Sequence, residues 1–436
     1  IINGNFDWVY EEEFSIRDGF RWSPDGKKIA YWQLDTSGSK DFIMINNTDE
    51  LYPTLTRFPY PKVGETNAAA KIGIVSLDST KTVWAKLTGN ARDMYVPRMD
   101  WAGNSEQVLI HHVNRKQDTN NLVYADSNTG ELTPVLTEQE ETFLDFYTDA
   151  TYIDNGNSFI WQSERSGWRH LYKVSRDGQT IVNLTPGNFD IVSLQTIDEK
   201  QGWLYFIASP ENVTQRYLMR SPLDGSGKIE RVTPKQYQGS NSYQMSKDAT
   251  WAIHTHSSWD QPSQKRLVKL PQHTVQHELM NNQKLIDKLA KENLGRTEFF
   301  QVDARDGVKL DGYIVRPSNF DASKKYPVLV YVYGGPHAQL VTNSWLGGSS
   351  LWMPAFASKE NYIVFTVDNR GSANRGFAFE SAIHRNLGDL EIKDAFSFDA
   401  PEINSQQDWD TRITLFTADA ERFISLVEKL TDSELE

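Results

Sequence analysis

Through about residue 275 the chain alternates short apolar runs with turn signals, and the turns keep a period. Asn128-Thr129-Gly130, Arg176-Asp177-Gly178 and Leu223-Asp224-Gly225 place their glycines 48 and 47 residues apart. Glycine takes the positive φ that a tight hairpin demands. A second set, Pro24-Asp25-Gly26, Ala102-Gly103 and Asn155-Gly156, interleaves with the first. Each member of it precedes an apolar run: Lys28 to Gln33, Gln107 to His112 and Ser158 to Gln162. Two interleaved series, the first of them regular, predict four strands per ~45-residue unit, the arithmetic of a β-propeller blade. A β-sandwich with accidental spacing would not give a periodic turn series with a second set interleaved. The repeats predict about five blades, the last running between Pro234 and Pro271 through Trp251-Ala-Ile-His254.

The period then stops. Leu285, Ile286, Leu289 and Leu294 stand at helical spacing in a segment, Leu279 to Leu294, that ends at Gly295, which predicts a helix with a glycine cap. Glu298 to Asp303, Val308 to Val315, Tyr326 to Tyr333 and Tyr362 to Val367 read as strands. The last two are nearly continuous apolar runs of the kind buried on both faces of an α/β sheet. The expected fold class is therefore mostly β plus α/β: a partial β-propeller over 1–275, a linker helix and the start of an α/β domain over 276–394, and a divergent tail over 395–436. That tail carries one amphipathic helix, Thr417 to Leu430, with Phe423, Leu426, Val427 and Leu430 on one face.

Composition narrows the function. Lys and Arg number 45 against 58 Asp and Glu, a net charge of -13. An acidic chain lacks the clustered cations that phosphate contacts require, so no nucleic-acid partner is expected. The absence of cysteine excludes disulfides, a thiolate zinc site and a cysteine nucleophile. No apolar run approaches the ~20 residues of a membrane span, and the mean hydropathy is -0.56. The chain opens Ile1-Ile2-Asn3 with neither a Met nor a basic-then-apolar leader, which reads as a cut end with any targeting segment upstream.

Two clusters carry candidate chemistry. Asp7-Trp8-Val9-Tyr10-Glu11-Glu12-Glu13-Phe14 is either a solvated acidic face or, because aromatics flank it, a partly dry wall where two carboxylates can take a primary ammonium. Lys325 to His337 ends a strand in Tyr333-Gly334-Gly335-Pro336, at the carboxyl end where α/β sheets hold ligands. Tyr333 can there donate to a developing oxyanion, or be a core aromatic; spacing alone does not separate the two. His111 and His112 are neighbours on a strand and point to opposite faces. His254 and His256 share a face without a third ligand, and no metal or other cofactor is expected.

Asp7-Trp-Val-Tyr-Glu-Glu-Glu-Phe14, Trp22-Ser-Pro-Asp-Gly26, Tyr60-Pro-Lys-Val-Gly64, Tyr326 to Pro336 and Asp368-Asn-Arg-Gly-Ser372 occur in that order. In this the chain, from Ile1 to about Asp394, resembles the dipeptidyl peptidase IV group of the prolyl oligopeptidase family of serine peptidases. The resemblance implies an N-terminal propeller joined to a C-terminal α/β-hydrolase domain, with the substrate between them. It implies release of N-terminal dipeptides with Pro or Ala at the second position. Glu12 and Glu13 would clamp the free N-terminus of a peptide substrate and Tyr333 would complete the oxyanion hole. A homodimer of the intact parent and a periplasmic or cell-envelope location also follow from the resemblance.

The chain departs from the family pattern too. No Gly-x-Ser-x-Gly nucleophile elbow occurs, and Gly347-Gly348-Ser349-Ser350-Leu351 lacks the closing glycine. His337 and His384 precede the late position of the family's catalytic base, and the sequence leaves the pattern from Ala395. Members of the family have eight blades. The chain therefore reads as incomplete at both ends, without the Ser/Asp/His triad segment. The alternative is a non-catalytic propeller that binds peptides or protein partners.

Overall fold

The computed structural model describes residues 1–146, 149–304, 306–348 and 351–395. The helix expected over Thr417 to Leu430 lies outside them. Five antiparallel sheets of four or five strands follow one another over residues 2–84, 94–139, 151–183, 191–231 and 240–280. Within each, every second residue of the inner strands turns inward. In the Lys28–Asp35 strand Ala30, Trp32 and Leu34 are buried, facing Ala70, Ile72 and Ile74 of its neighbour.

The apolar side chains collect between consecutive sheets. Trp32 and Ile72 meet Val108 and Ile110 of the second sheet, Leu109 and Tyr124 meet Phe159 and Trp161 of the third, and Ile160 and Leu171 meet Leu204 and Phe206 of the fourth. This is propeller packing, blade face on blade face. The periodic glycines mark the seams. Gly178 has φ 73°, and a β-carbon on it would stand 1.7 Å from the Val135 carbonyl oxygen of the preceding sheet. Gly130 meets the Trp84 carbonyl of its own preceding sheet in the same way, at 2.1 Å. A side chain at either position would collide with backbone as well as strain φ. Between Lys28–Asp35 and Ala69–Ser76 a hairpin, Asp41–Asn46 paired with Thr54–Pro59, projects with Phe42, Ile43, Met44, Ile45 and Leu55 exposed.

The fifth sheet buries a histidine group that the sequence only half showed. His254 and His256 are joined by His273, whose Nε2 meets the Tyr243 hydroxyl at 2.9 Å, while His254 Nε2 meets Asn241 Oδ1 at 2.8 Å. Burial pushes His254 down to about 2 and His273 down to about 4, and lowers His256. The unfolded chain takes up these protons below about 6.5 while the folded sheet does not. Stability from each ring is thus complete above that pH and falls by ~1.4 kcal/mol per pH unit beneath it, down to the folded value. Hydrogen-exchange protection of Ser240–Met245 and Trp251–Ser258 is expected to drop between pH 6.5 and 4.5. Protection that stays level would show that these rings are hydrated.

After residue 280 the architecture changes. Arg296–Asp303, Lys309–Arg316, Ile363–Val367 and Val328–Val330 form one sheet in that spatial order, antiparallel except for the last pair. The helix Trp352–Glu360 covers it through Met353 and Ala357, and Trp259 from the fifth sheet enters its core, 4.5 Å from the Tyr313 ring. Among the described residues no helix is long and apolar enough to cross a membrane.

Two expectations need correction. The segment Leu279 to Leu294 is not one helix: Thr274–Met280 is a strand, helix covers only Gln283–Leu289, and its cap is Ala290. Hydrogen bonding to the 265–269 strand overrides the helical spacing, and Leu279 and Leu285 are exposed. The strand expected from Tyr326 to Tyr333 is three residues long and lies at the sheet edge, where Val328 is 55% exposed, so it is not buried on both faces.

Candidate active site

The acidic cluster is a helix, Trp8–Glu13. Asp7 caps it, Oδ1 accepting from the Tyr10 N–H at 3.3 Å. Tyr10 and Phe14, one turn apart, face inward, their rings 5.5 Å from each other and 6.2 and 5.2 Å from Tyr95. The Val96 N–H donates to the Tyr10 hydroxyl at 3.2 Å. Trp8 rests on Phe58 and Tyr60 at the base of the projecting hairpin. With Tyr10 and Phe14 committed inward, Glu12 and Glu13 are left at the surface and Glu11 half-buried. Among the described residues neither Glu12 nor Glu13 has an ion-pair partner within 4.0 Å. The wall is thus wetter than the flanking aromatics suggested. Glu13 still lies close enough to Tyr95 that its charge adds to the burial which raises that hydroxyl.

Tyr333 follows the edge strand. The Tyr331 N–H still donates to the Phe365 carbonyl at 2.8 Å, after which the chain leaves the sheet through Gly334 at φ 76°. Tyr333 is 65% exposed, so it is no core aromatic. His337 closes the turn at φ 63°, its N–H donating to the Gly371 carbonyl at 2.8 Å. Just beyond, Leu340 and Val341 donate to Asp368 at 2.8 and 3.2 Å, and burial pushes that carboxyl up to about 7. Arg370 grips the fully buried Asp394 through Nε and Nη2.

Between the two domains lies a buried polar group that sequence reasoning missed. Asp190 accepts from the backbone N–H of Arg169 in the propeller and of Gly376 in the second domain, both at 2.7 Å. The Arg169 guanidinium lies 3.2 Å from Glu164 and 3.5 Å from Glu380. His337 Nδ1 contacts Glu380 and lies 3.4 Å from Asp145. Burial pushes Asp145 up to about 6 and Glu164 up to about 8, while the hydrogen bond that His337 Nδ1 donates to Glu380 raises His337. Asp145, His337 and Glu380 offer ligand atoms within 4.8 Å of one another. Arg169 already supplies the positive charge there, which argues for an ion-pair network over a metal centre.

Residues 1–263 match the family described as Dipeptidyl peptidase IV (DPP IV) N-terminal region. The chain belongs to that family. Residues 348–405 match the Prolyl oligopeptidase family. Dipeptidyl peptidase 4 of Trichophyton rubrum is 28% identical over 413 residues, which are 90% of this chain and 52% of that protein. The crystal structure of Porphyromonas gingivalis dipeptidyl peptidase 4 superposes with a TM-score of 0.82 at 26% identity, covering 89% of this chain and 54% of that one. A chain from Bacteroides ovatus gives 0.80 at 29% identity, covering 90% and 57%. The chain spans about half the length of the curated relatives it matches.

Against that family background, the interdomain group had no periodic signal to betray it. Asp145, Glu164 and Asp190 are spread along the propeller sequence, and Glu380 joins them only when the second domain docks. The segment Ser163-Glu164-Arg165-Ser166-Gly167-Trp168-Arg169-His170, charged and aromatic between two buried strands, was the one local hint. Ser349 and Ser350, in the segment nearest to a nucleophile elbow, lie outside the described residues.

Proposed function

We propose that this chain is the amine-recognising and oxyanion-bearing part of a serine exopeptidase that releases N-terminal dipeptides, with Pro or Ala preferred at the second position. The observation that supports it most is the Trp8–Glu13 helix, which buries Tyr10 and leaves the Glu12 and Glu13 carboxylates at the surface of a dipeptidyl peptidase IV-type propeller with no ion-pair partner among the described residues. Two carboxylates side by side can accept the donors of one ammonium, and a substrate held by its N-terminus presents a fixed bond to the nucleophile. A serine carried by the rest of the intact protein attacks the carbonyl carbon while a histidine takes its proton. The carbonyl oxygen becomes an oxyanion, and Tyr333 with a backbone amide donates to it.

The same proposal divides the chain near residue 275 and places the intact protein at the periplasm or cell envelope. It also makes that protein a homodimer, for which the exposed Phe42, Ile43, Met44 and Ile45 on the projecting hairpin offer a surface. A second reading, a propeller that binds peptides without cutting them, draws on the lack of any Gly-x-Ser-x-Gly pattern in these 436 residues. A Gly-Pro chromogenic amide separates the two. The full-length protein is expected to turn it over and to be stopped by a serine-directed phosphonate, whereas the 436-residue chain alone is expected to do neither. A full-length protein that binds the dipeptide without cleaving it would establish the second reading.

A further inference from the structure

Glu12 and Glu13 stand on one domain and Tyr333 on the other, and one short segment of the propeller touches the supports of both. Phe143 sets its ring 5.3 Å from His337, edge to face, and 5.6 Å from Phe377. Two residues on, Asp145 Oδ2 lies 3.4 Å from His337 Nδ1. The next residue, Phe146, packs 6.0 Å from Phe14 at the end of the acidic helix. Arg98 fastens that contact by donating to the Phe14 carbonyl at 2.7 Å and to the Phe146 carbonyl at 3.0 Å. Residues 143–146 therefore run as a strap from the helix that carries the glutamates to the end of the turn that carries Tyr333.

His337 is where the strap grips. Its left-handed backbone is unusual for a residue with a β-carbon and persists only where the surroundings impose it. The Gly371 carbonyl accepts from its N–H, Phe143 meets its ring edge to face, and Glu380, whose side chain has no exposed surface, takes Nδ1, leaving the His337 side chain 38% exposed. The Arg169 guanidinium, 3.5 Å from Glu380, anchors that side chain from the propeller side. Tyr333, four residues earlier, is itself mostly exposed, so its position depends on the turn and not on packing of its own ring.

Resting on the functional reading above, we propose that His337 is a positioning residue: held through Nδ1 by Glu380, with Asp145 3.4 Å from the same nitrogen, it fixes the turn that aims Tyr333, and the 143–146 strap sets the separation of that hydroxyl from Glu12 and Glu13. That separation matters because an oxyanion donor acts over a few tenths of an ångström, and a displacement of ~1 Å costs about 10²-fold. It is also the length against which a dipeptide would be measured.

Glu380→Gln keeps the shape and removes the charge. In the 436-residue chain it is expected to speed amide exchange across residues 331–338 by about ten-fold while the Trp8–Glu13 helix exchanges as before. In the full-length protein it is expected to lower kcat on the Gly-Pro amide by at least about ten-fold with KM within about two-fold, because the amine clamp is untouched. His337→Asn, which leaves the Arg169 pairing intact, should reproduce both effects and so separates loss of the clamp from a loosened domain interface. Unchanged exchange at the turn, or a rise in KM at parental kcat, would overturn the proposal. Should the unsubstituted full-length protein fail to cleave, the functional reading falls, and the exchange result alone decides whether the clamp holds the turn.

Discussion

Tyr333→Phe in the full-length protein is expected to lower kcat on a Gly-Pro amide by about 10²–10³-fold, the range seen when one oxyanion-hole donor is removed, or ~2.7–4 kcal/mol. The hydroxyl meets the substrate oxygen only as charge develops on it, so KM should move little. The substitution is clean in this setting. Tyr333 is exposed, and its ring touches the chain at Gly335, where an added β-carbon would stand 2.7 Å from the tyrosine ring. Phenylalanine keeps that contact, and the melting temperature should be unchanged. Steady-state kinetics with an intact parental kcat would remove Tyr333 from the chemistry.

Glu12→Ala and Glu13→Ala should each cut kcat/KM by roughly ten- to over a hundred-fold, since a charge-assisted hydrogen bond to an ammonium contributes ~1.5–3 kcal/mol at ~1.4 kcal/mol per decade. Glu11, half-buried against the propeller, should matter less. Folding should be indifferent to either change, because the helix is held by the Asp7 cap and by Tyr10 and Phe14, not by its carboxylates. Acetylating the substrate amine is the control: the acetylated amide should be a poor substrate, and the alanine variants should cost it nothing further. Parental rates on the free-amine substrate would leave the acidic run as a solvated face.

Both predictions start from residues that the sequence exposed. Glu12, Glu13 and Tyr333 sit in ordered motifs, and the turn glycines announce the blades because backbone at φ near 70° admits few other residues. What stayed hidden had competing local and tertiary causes. Leu279 to Leu294 shows helical spacing, yet a neighbouring strand captured its first residues. The edge position of Val328–Val330 is invisible in its composition, since an apolar run reads alike in the centre of a sheet and at its rim. His273 lies 17 residues beyond His256 and joins His254 and His256 only through the sheet. The Asp145, Glu164, Arg169 and Glu380 group is assembled from two domains and three separate segments, and no short window of sequence contains it.

The seam glycines give the propeller a polarity. Gly130 and Gly178 each press a hairpin onto the strand of the blade before them, so at these two seams a blade supplies a receiving surface for its successor. Arrays coupled in this way behave as neighbours in a row, each joint contributing its own share. Shortening such an array is consequently unequal at its two ends. A blade lost from the leading side leaves the next hairpin with nothing to lodge against, whereas a blade lost from the trailing side only uncovers a docking strand that was already complete.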